Sequence, residues 1–367
     1  MGAIDDKAVD AGYVDHAAYR AAGGYRLLQA CLGGRMHPES AIVTMMAAGL
    51  RIPDAGGGTV PAGRRWRQVR SAAGPRTLLL GVDGGGPWAF RDRHYLGSDP
   101  HRVLEGALVA AWAAGIDHVQ LRLPDGEPGL RAMLRQELAH LRADPPASGL
   151  AHIAVDEASP ATGTLLEQDA ESLHWVRDIL ERGADWFTSQ GRHGKRGLRS
   201  FAVSGAVRVP GVKLVPAGTT ARELVDDYCG GLREGARLYA CLPGGAAGAI
   251  LPAAMADIPL DADTLGRHGV DVHPGTVLVL AEGERACDAA CAVLAHWRAS
   301  AGNAGRDAID EALALLALPT PGGTAARLAA LAQALRDGSP AASRAIDSVL
   351  VHFGHELDGR GDVARAA

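Results

Sequence analysis

Residues 77–82 read Thr77-Leu78-Leu79-Leu80-Gly81-Val82, followed at once by Asp83-Gly84-Gly85-Gly86-Pro87. A short, unbroken apolar run bounded by glycine is the pattern of a strand buried on both faces. Outward from this run, helices and strands alternate. Asp99-Pro100-His101 opens a helix that reaches about Gly115, with proline in its first turn. Residues 118–123 read as a strand, 129–141 as a helix and 152–155 as a strand. This order predicts an α/β layer structure with a largely parallel sheet.

Upstream, residues 13–50 carry apolar side chains at helical spacing, and His37-Pro38-Glu39-Ser40 reads as a helix start. A second glycine-rich loop runs from Asp54 to Gly63 and ends in Arg64-Arg65-Trp66. Downstream, 165–180 reads as a helix and 189–199 as a polar, basic loop. The composition shifts at Ser200. Strands at 201–207 and 212–215 form a hairpin around Pro210-Gly211, a helix follows at 219–228, and strands return at 238–242 and 276–280. From Arg285 only helical patterns remain, at 285–300, 306–318, 323–336 and 340–357. Three domains are expected: an α/β domain with N-terminal helices over 1–198, a small β-grasp (ubiquitin-like) module over 199–283, and a four-helix bundle over 284–360.

The chain has 367 residues, 47% hydrophobic and 22% charged, which is a folded rather than a disordered composition. A net charge of -5 argues against a nucleic-acid binder. Five scattered Cys with no CxxC pair exclude a disulfide scaffold and a zinc ribbon. Cys287 and Cys291 share a helix face, but read better as small buried hydrophobes than as a metal pair. The sequence MGAIDDKAVD is acidic and lacks the apolar core of a signal peptide. The longest apolar stretches, 104–116 and 309–318, fall short of the roughly 20 residues a membrane helix needs. A cytoplasmic protein, or a subunit peripheral to a larger assembly, is expected.

The ordered series of motifs resembles a known family. Gly23-Gly24-Tyr25, the span from Pro38-Glu39 to Gly49-Leu50-Arg51, and Gly56-Gly57 through Pro61, Gly63 and Trp66 carry the resemblance in the first third. Asp83, Pro87, Phe90-Arg91-Asp92-Arg93, Asp99-Pro100-His101 and Glu105-Gly106 continue it. Val203-Ser204-Gly205, Pro210-Gly211-Val212, Gly218-Thr219-Thr220, Pro243-Gly244-Gly245, His352-Phe353 and Glu356-Leu357 complete it. Together they look like the NADH-binding flavoprotein subunit of respiratory complex I (the F-type subunit), which also occurs in NAD-linked formate dehydrogenases and NAD-reducing hydrogenases. The implied fold is an FMN-binding α/β domain, a β-grasp module of the SLBB type and a cluster-binding helical bundle.

The resemblance implies an FMN cradle at Gly56, Gly57, Gly58, Arg65 and Asp83, with Arg65 as the cation facing a phosphate. Other positions depart from the family. The aromatic residue that stacks on nicotinamide is matched by Val60, an Asn by Gly81, and two Glu by Gly84 and Gly86. NAD(H) binding is therefore doubtful. The paired Asn beside the flavin falls near Gln168-Asp169, where a carboxylate would face an anionic cofactor unfavourably without a cation. The cluster cysteines are matched by Ala301, Ala304 and Asp307, with the fourth near Arg336. No [4Fe–4S] cluster, no other metal site and no catalytic residue is expected.

The reading that follows is a structural or regulatory subunit of an oxidoreductase complex, with other subunits as partners. One alternative is an FMN-containing NADH dehydrogenase without a cluster. The other is a small-ligand binder acting through the β-grasp module.

Overall fold

The computed structural model describes residues 12–54, 58–82, 86, 88–156, 163–247, 249–270, 275–319 and 323–358. The chain divides into two compact units, one of residues 1–84 and 90–200, the other of 85–89 and 201–367.

The first unit opens with three helices, α1 (His16–Ala21), α2 (Arg26–Leu32) and α3 (Pro38–Ala48). The His37 ring accepts from Glu39 N–H, Pro38 fills the first turn, and Gly49 ends α3 in the left-handed region. A ribbon of β1 (Arg51–Pro53) and β2 (Thr59–Pro61) leads into α4 (Ala62–Ser71). Then come β3 (Arg76–Gly81), α5 (Arg91–Ser98), α6 (Pro100–Ala114), β4 (His118–Arg122), α7 (Pro128–Ala143), β5 (His152–Val155), β6 (Thr164–Gln168), α8 (Ala170–Arg182) and α9 (Ala184–Thr188). The sheet order is β5-β4-β3-β6, and every neighbouring pair is parallel. The apolar run at 77–82 is thus a central strand, with Leu78, Leu79 and Leu80 buried.

Helix α6 is bounded as its sequence predicts. The Asp99 carboxylate accepts from Arg102 N–H, Pro100 starts the helix, and Gly115 closes it at φ 68°. It lies against α8 at Gly106, where a Cβ would come 2.0 Å from Leu173 O. One expectation fails nearby: residues 165–168 are strand, not helix. Leu78 pairs with Leu166 and Leu80 with Gln168, and the helix begins only after Asp169, which caps α8 through Ser172 N–H. A five-residue strand with only Leu165 and Leu166 apolar, running straight into an amphipathic helix, hides such a break, because the pairing that defines the strand comes from β3.

In the second unit, β7 (Leu198–Gly205, starting at the unit boundary), β8 (Gly211–Pro216), β9 (Leu238–Pro243), β10 (Leu251–Pro252) and β11 (Thr276–Ala281) form a sheet of order β10-β9-β11-β7-β8. Two short helices lie between strands, α10 (Ala221–Glu223) and α11 (Ala262–Leu265). Thr220 and Glu223 form a reciprocal capping box on α10. Alternation along β11 sorts the two faces. Leu278 and Leu280 pack with the C-terminal helices, whereas Val277 and Val279 pack with Phe201, Val203 and Leu224. Those helices are α12 (Ala286–Arg298), α13 (Asn303–Ala317), α14 (Thr324–Leu335) and α15 (Pro340–His352).

Candidate functional site

In a parallel sheet the ligand crevice lies beyond the carboxyl ends of the strands, where the strand order reverses. Here the chain runs β3, β4, β5 outward and then returns to the other side of β3 with β6. The crevice is therefore set by Gly81 at the end of β3, Gln168-Asp169 at the end of β6, and the ribbon and α4 beside them.

The ribbon loop is closed by Asp54 N–H donating to Gly58 O, and Gly58 stands at φ 79° with no atom within 4 Å of a hypothetical Cβ. Gly56, Gly57 and Asp83 of the expected cradle lie outside the described residues. Arg65 is placed on the first turn of α4 and donates from Nη2 to Leu165 O of β6 at 3.0 Å. That turn has no side-chain cap at Pro61. Gly63 has a packing role, since a Cβ there would fall 2.5 Å from Met46 N and 2.6 Å from Ile42 O of α3. At Gly81 a Cβ would have room, with Glu167 Oε1 as its nearest neighbour at 3.9 Å. Val60 sits in the ribbon opposite Ile52.

Gln168 and Asp169 are both engaged internally. Fully buried Gln168 accepts from Trp66 Nε1–H at 3.0 Å and donates to Ser172 Oγ at 3.3 Å. Asp169 accepts from Arg91 at 2.7 Å and from Ser172 N–H at 2.8 Å. The sequence makes a carboxylate here unfavourable beside an anionic cofactor unless a cation is present, and Arg91 is such a cation. Arg91 is buried, with Glu171 at 3.0 Å and Asp92 at 3.4 Å as further partners. Burial works against its charge, but the carboxylates of Asp92, Asp169 and Glu171 outweigh burial and hold it cationic. Burial pushes Glu171 above the usual carboxylate range, opposed by Arg91. Glu171 also accepts from Ser200 N–H, and the Ser200 hydroxyl lies 2.6 Å from that of Tyr95. Sequence reading quoted Arg91 as part of a motif but gave it no role, because its carboxylates lie far along the chain.

At the positions matching the cluster ligands, Ala301 is buried in the helical core while Ala304, Asp307 and Arg336 are exposed. Leu335, beside Arg336, is buried in that same core, and Arg336 pairs with Asp347 at 3.6 Å. An apolar methyl, an exposed methyl, a carboxylate and a guanidinium do not fit an iron–sulfur cluster, which needs thiolates. Cys31, Cys229, Cys241 and Cys287 are buried and Cys291 is half-buried. Burial pushes the Cys241 and Cys287 thiols up to about 12. Among the described residues no three His, Cys, Asp or Glu side chains are grouped to hold a metal. His355 Nε2 lies 3.1 Å from the Tyr239 hydroxyl. Trp175 is buried, and half-buried Trp186 stacks under the Arg182 guanidinium at 3.8 Å.

The first unit is an α/β unit built on a four-stranded parallel sheet. Residues 47–161 match the family model described as Nuo51 FMN-binding domain. The second F-type chain of the Rhizobium meliloti NADH-quinone oxidoreductase is 28% identical over 312 residues, covering 72% of this chain and 72% of the relative. The F-type chain of the Streptomyces coelicolor NADH-quinone oxidoreductase is 30% identical over 293 residues, covering 68% of this chain and 64% of the relative. Among solved structures, a chain of an NAD+-reducing [NiFe]-hydrogenase in the H2-reduced state matches with TM-score 0.74 at 22% identity. That alignment covers 88% of this chain but spans only 63% of the hydrogenase chain. The chain is thus a homologue of the F-type chains of NADH-quinone oxidoreductase, matching the Nuo51 FMN-binding domain over residues 47–161.

Proposed function

We propose that this protein is an F-type component of a multi-subunit oxidoreductase whose role is structural or regulatory, with cluster-mediated electron transfer lost. The observation that carries this is the closed helical core, with Ala301 and Leu335 buried inside it and Ala304, Asp307 and Arg336 facing solvent. In this reading the second unit comprises a β-grasp module of the SLBB type over 199–283 and a bundle over 284–360 that keeps the cluster domain's helices without its ligands. A fold outlasting its site is physically ordinary, since packing and catalysis rest on different residues. Among the described residues no helix is long and apolar enough to cross a membrane, which supports a position peripheral to any membrane partner.

The fit to FMN differs between its two ends. Gly58, the uncapped first turn of α4 and Arg65, which keeps free guanidinium donors beyond the one on Leu165 O, suit a phosphate. These residues would hold FMN, which when bound supplies hydride acceptance and single-electron release. The ring end suits it less, because Gln168 and Asp169 are committed to Trp66, Ser172 and Arg91. NAD(H) has weaker support still, with Val60 in place of a stacking ring.

The test is the visible spectrum, the iron content and the co-purifying partners of the protein isolated anaerobically. The expected result is no iron or acid-labile sulfide, no flavin bleaching on NADH addition, and co-elution with other oxidoreductase subunits. Stoichiometric iron with an NADH-reducible spectrum would overturn the proposal. The FMN-binding-domain match favours the alternative of an FMN-containing NADH dehydrogenase without a cluster, and flavin bleaching by NADH in an iron-free protein would decide for it.

A further inference from the structure

The N-terminal helices of the first unit are held by two buried carboxylates. Glu105 of α6 is fully buried and accepts from the Tyr19 hydroxyl at 2.5 Å, Tyr25 N–H at 2.9 Å and Leu28 N–H at 3.2 Å. It therefore satisfies main-chain donors at the start of α2, which no side chain of that segment caps. One turn before Glu105, His101 is equally buried, with Nδ1 2.7 Å from the Tyr25 hydroxyl and Nε2 2.7 Å from Glu137 Oε2. A neutral imidazole suits both contacts, taking the hydroxyl proton at Nδ1 and offering Nε2–H to the carboxylate. Glu137 of α7 also accepts from the Tyr13 hydroxyl at 2.7 Å and His16 N–H at 3.0 Å.

His16 completes this cluster. Its ring lies 5.0 Å from that of His101, and its Nε2 is buried without a hydrogen-bond partner. Charged groups face the pair from each packed element. Glu137 and Asp144 favour a proton on His16, while Arg20 and His140 oppose it. His101 likewise faces Glu137, His16 and His140. The largest influence on both rings is burial, which keeps both below the ordinary imidazole range.

We propose that residues 13–32 form an acid-released clasp, docked on α6 and α7 while His16 and His101 are neutral and freed when His16 takes up a proton. A proton on the buried Nε2 of His16 has no acceptor, because the Glu137 oxygens already serve Tyr13, His101 and the His16 main chain. It would also place a cation 5.0 Å from the neighbouring imidazole. Opening exposes the face of α6 under α1 and α2 and leaves the sheet intact, a local rather than a global unfolding.

The sign follows from the docked state having the lower pKa. The clasp is at full strength above an imidazole's ordinary value of about 6.5 and weakens as pH falls below it. One proton taken up on opening makes the opening equilibrium about tenfold more favourable at pH 5.5 than at pH 7.5.

The experiment is hydrogen exchange of the whole chain by mass spectrometry at these two pH values, corrected for intrinsic exchange. Peptides within 13–32 should lose about tenfold in protection at the lower pH while peptides of α8 do not. His16→Phe keeps a ring in place and removes its titration, so the acid step should shrink to the share that His101 carries. Tyr13→Phe should loosen docking at both pH values and leave the ratio unchanged. Equal wild-type protection at both pH values overturns the proposal whether or not H16F folds. So does an acid step undiminished in H16F, or one abolished equally by Y13F, which would assign it to Glu137.

Discussion

The Arg91 guanidinium stands 2.7 Å from Asp169 Oδ2, and both side chains are buried at the end of the crevice strand β6. This pair joins the start of α5 to the start of α8, and Glu171 adds a second buried carboxylate at 3.0 Å. Arg91→Met should therefore destabilise the first unit by about 3–5 kcal/mol, because it leaves carboxylates buried without their cation. Urea unfolding measures it, and Arg91→Lys should recover part of the loss as a point charge that cannot bridge both partners. A cost under about 1 kcal/mol would mean that water or protonation satisfies Asp169 and Glu171 unaided.

Sequence reading found the borders of the crevice unit where local chemistry sets them. The Asp99, Pro100 and Gly115 signals bound α6 as read, and the apolar run at 77–82 is the central strand β3 within a residue at each end. It missed β6, whose identity depends on β3, and α4, whose Arg64-Arg65-Trp66 start reads as the end of a loop. The internal commitments of Gln168, Asp169 and Arg91 were not legible, since each rests on a partner brought in by the fold. The match of Ala301 and Ala304 to cluster ligands was legible only through family resemblance, since no local pattern marks either residue.

Gly106 allows α6 and α8 to meet, so a single methyl there should be costly. Gly106→Ala places Cβ 2.0 Å from the Leu173 carbonyl oxygen, and backbone must shift to relieve it. A loss of about 1–3 kcal/mol is expected from overpacking. Gly129→Ala in α7 is the control, because nothing lies within 4 Å of its Cβ position. It should be neutral or stabilise by up to about 1 kcal/mol through helix propensity. Thermal melts of the two variants check the contrast, and equal effects would show that the helix contact yields freely.

Glu356 organises the second unit from the far end of the chain. Its Oε1 accepts from the Tyr239 hydroxyl at 2.5 Å and Ala286 N–H at 2.9 Å, and its Oε2 from Cys287 N–H at 3.0 Å. The carboxylate thus caps α12, whose own cap residue Arg285 makes no side-chain hydrogen bond to it. Glu356→Ala should cost about 1–3 kcal/mol by stranding buried donors, and Glu356→Gln less, since one oxygen remains. Denaturant unfolding followed by tyrosine fluorescence measures both. Equal losses for Ala and Gln would show that charge at the helix start, not hydrogen-bond acceptance, is what matters.

Glu137 gives a pH dependence with a definite sign. Burial works against its charge, but donation from Tyr13, His101 and His16 N–H outweighs burial and holds it down to about 2, against an ordinary value of 4.5. A depressed carboxylate contributes stability that is complete above its unfolded value and is lost as pH falls toward the folded one. Glu137→Gln should therefore destabilise the unit at pH 7 by about 2–3 kcal/mol, and the gap to the parent protein should close between roughly pH 4.5 and pH 2. Urea unfolding of both proteins at pH 7, 5 and 3 measures that gap. It should be widest and unchanged from pH 7 to 5, then narrow at pH 3. A gap that stays constant down to pH 3 would show that the amide fails through shape or donor mismatch, and that the ionised carboxylate carries no preferential stabilisation.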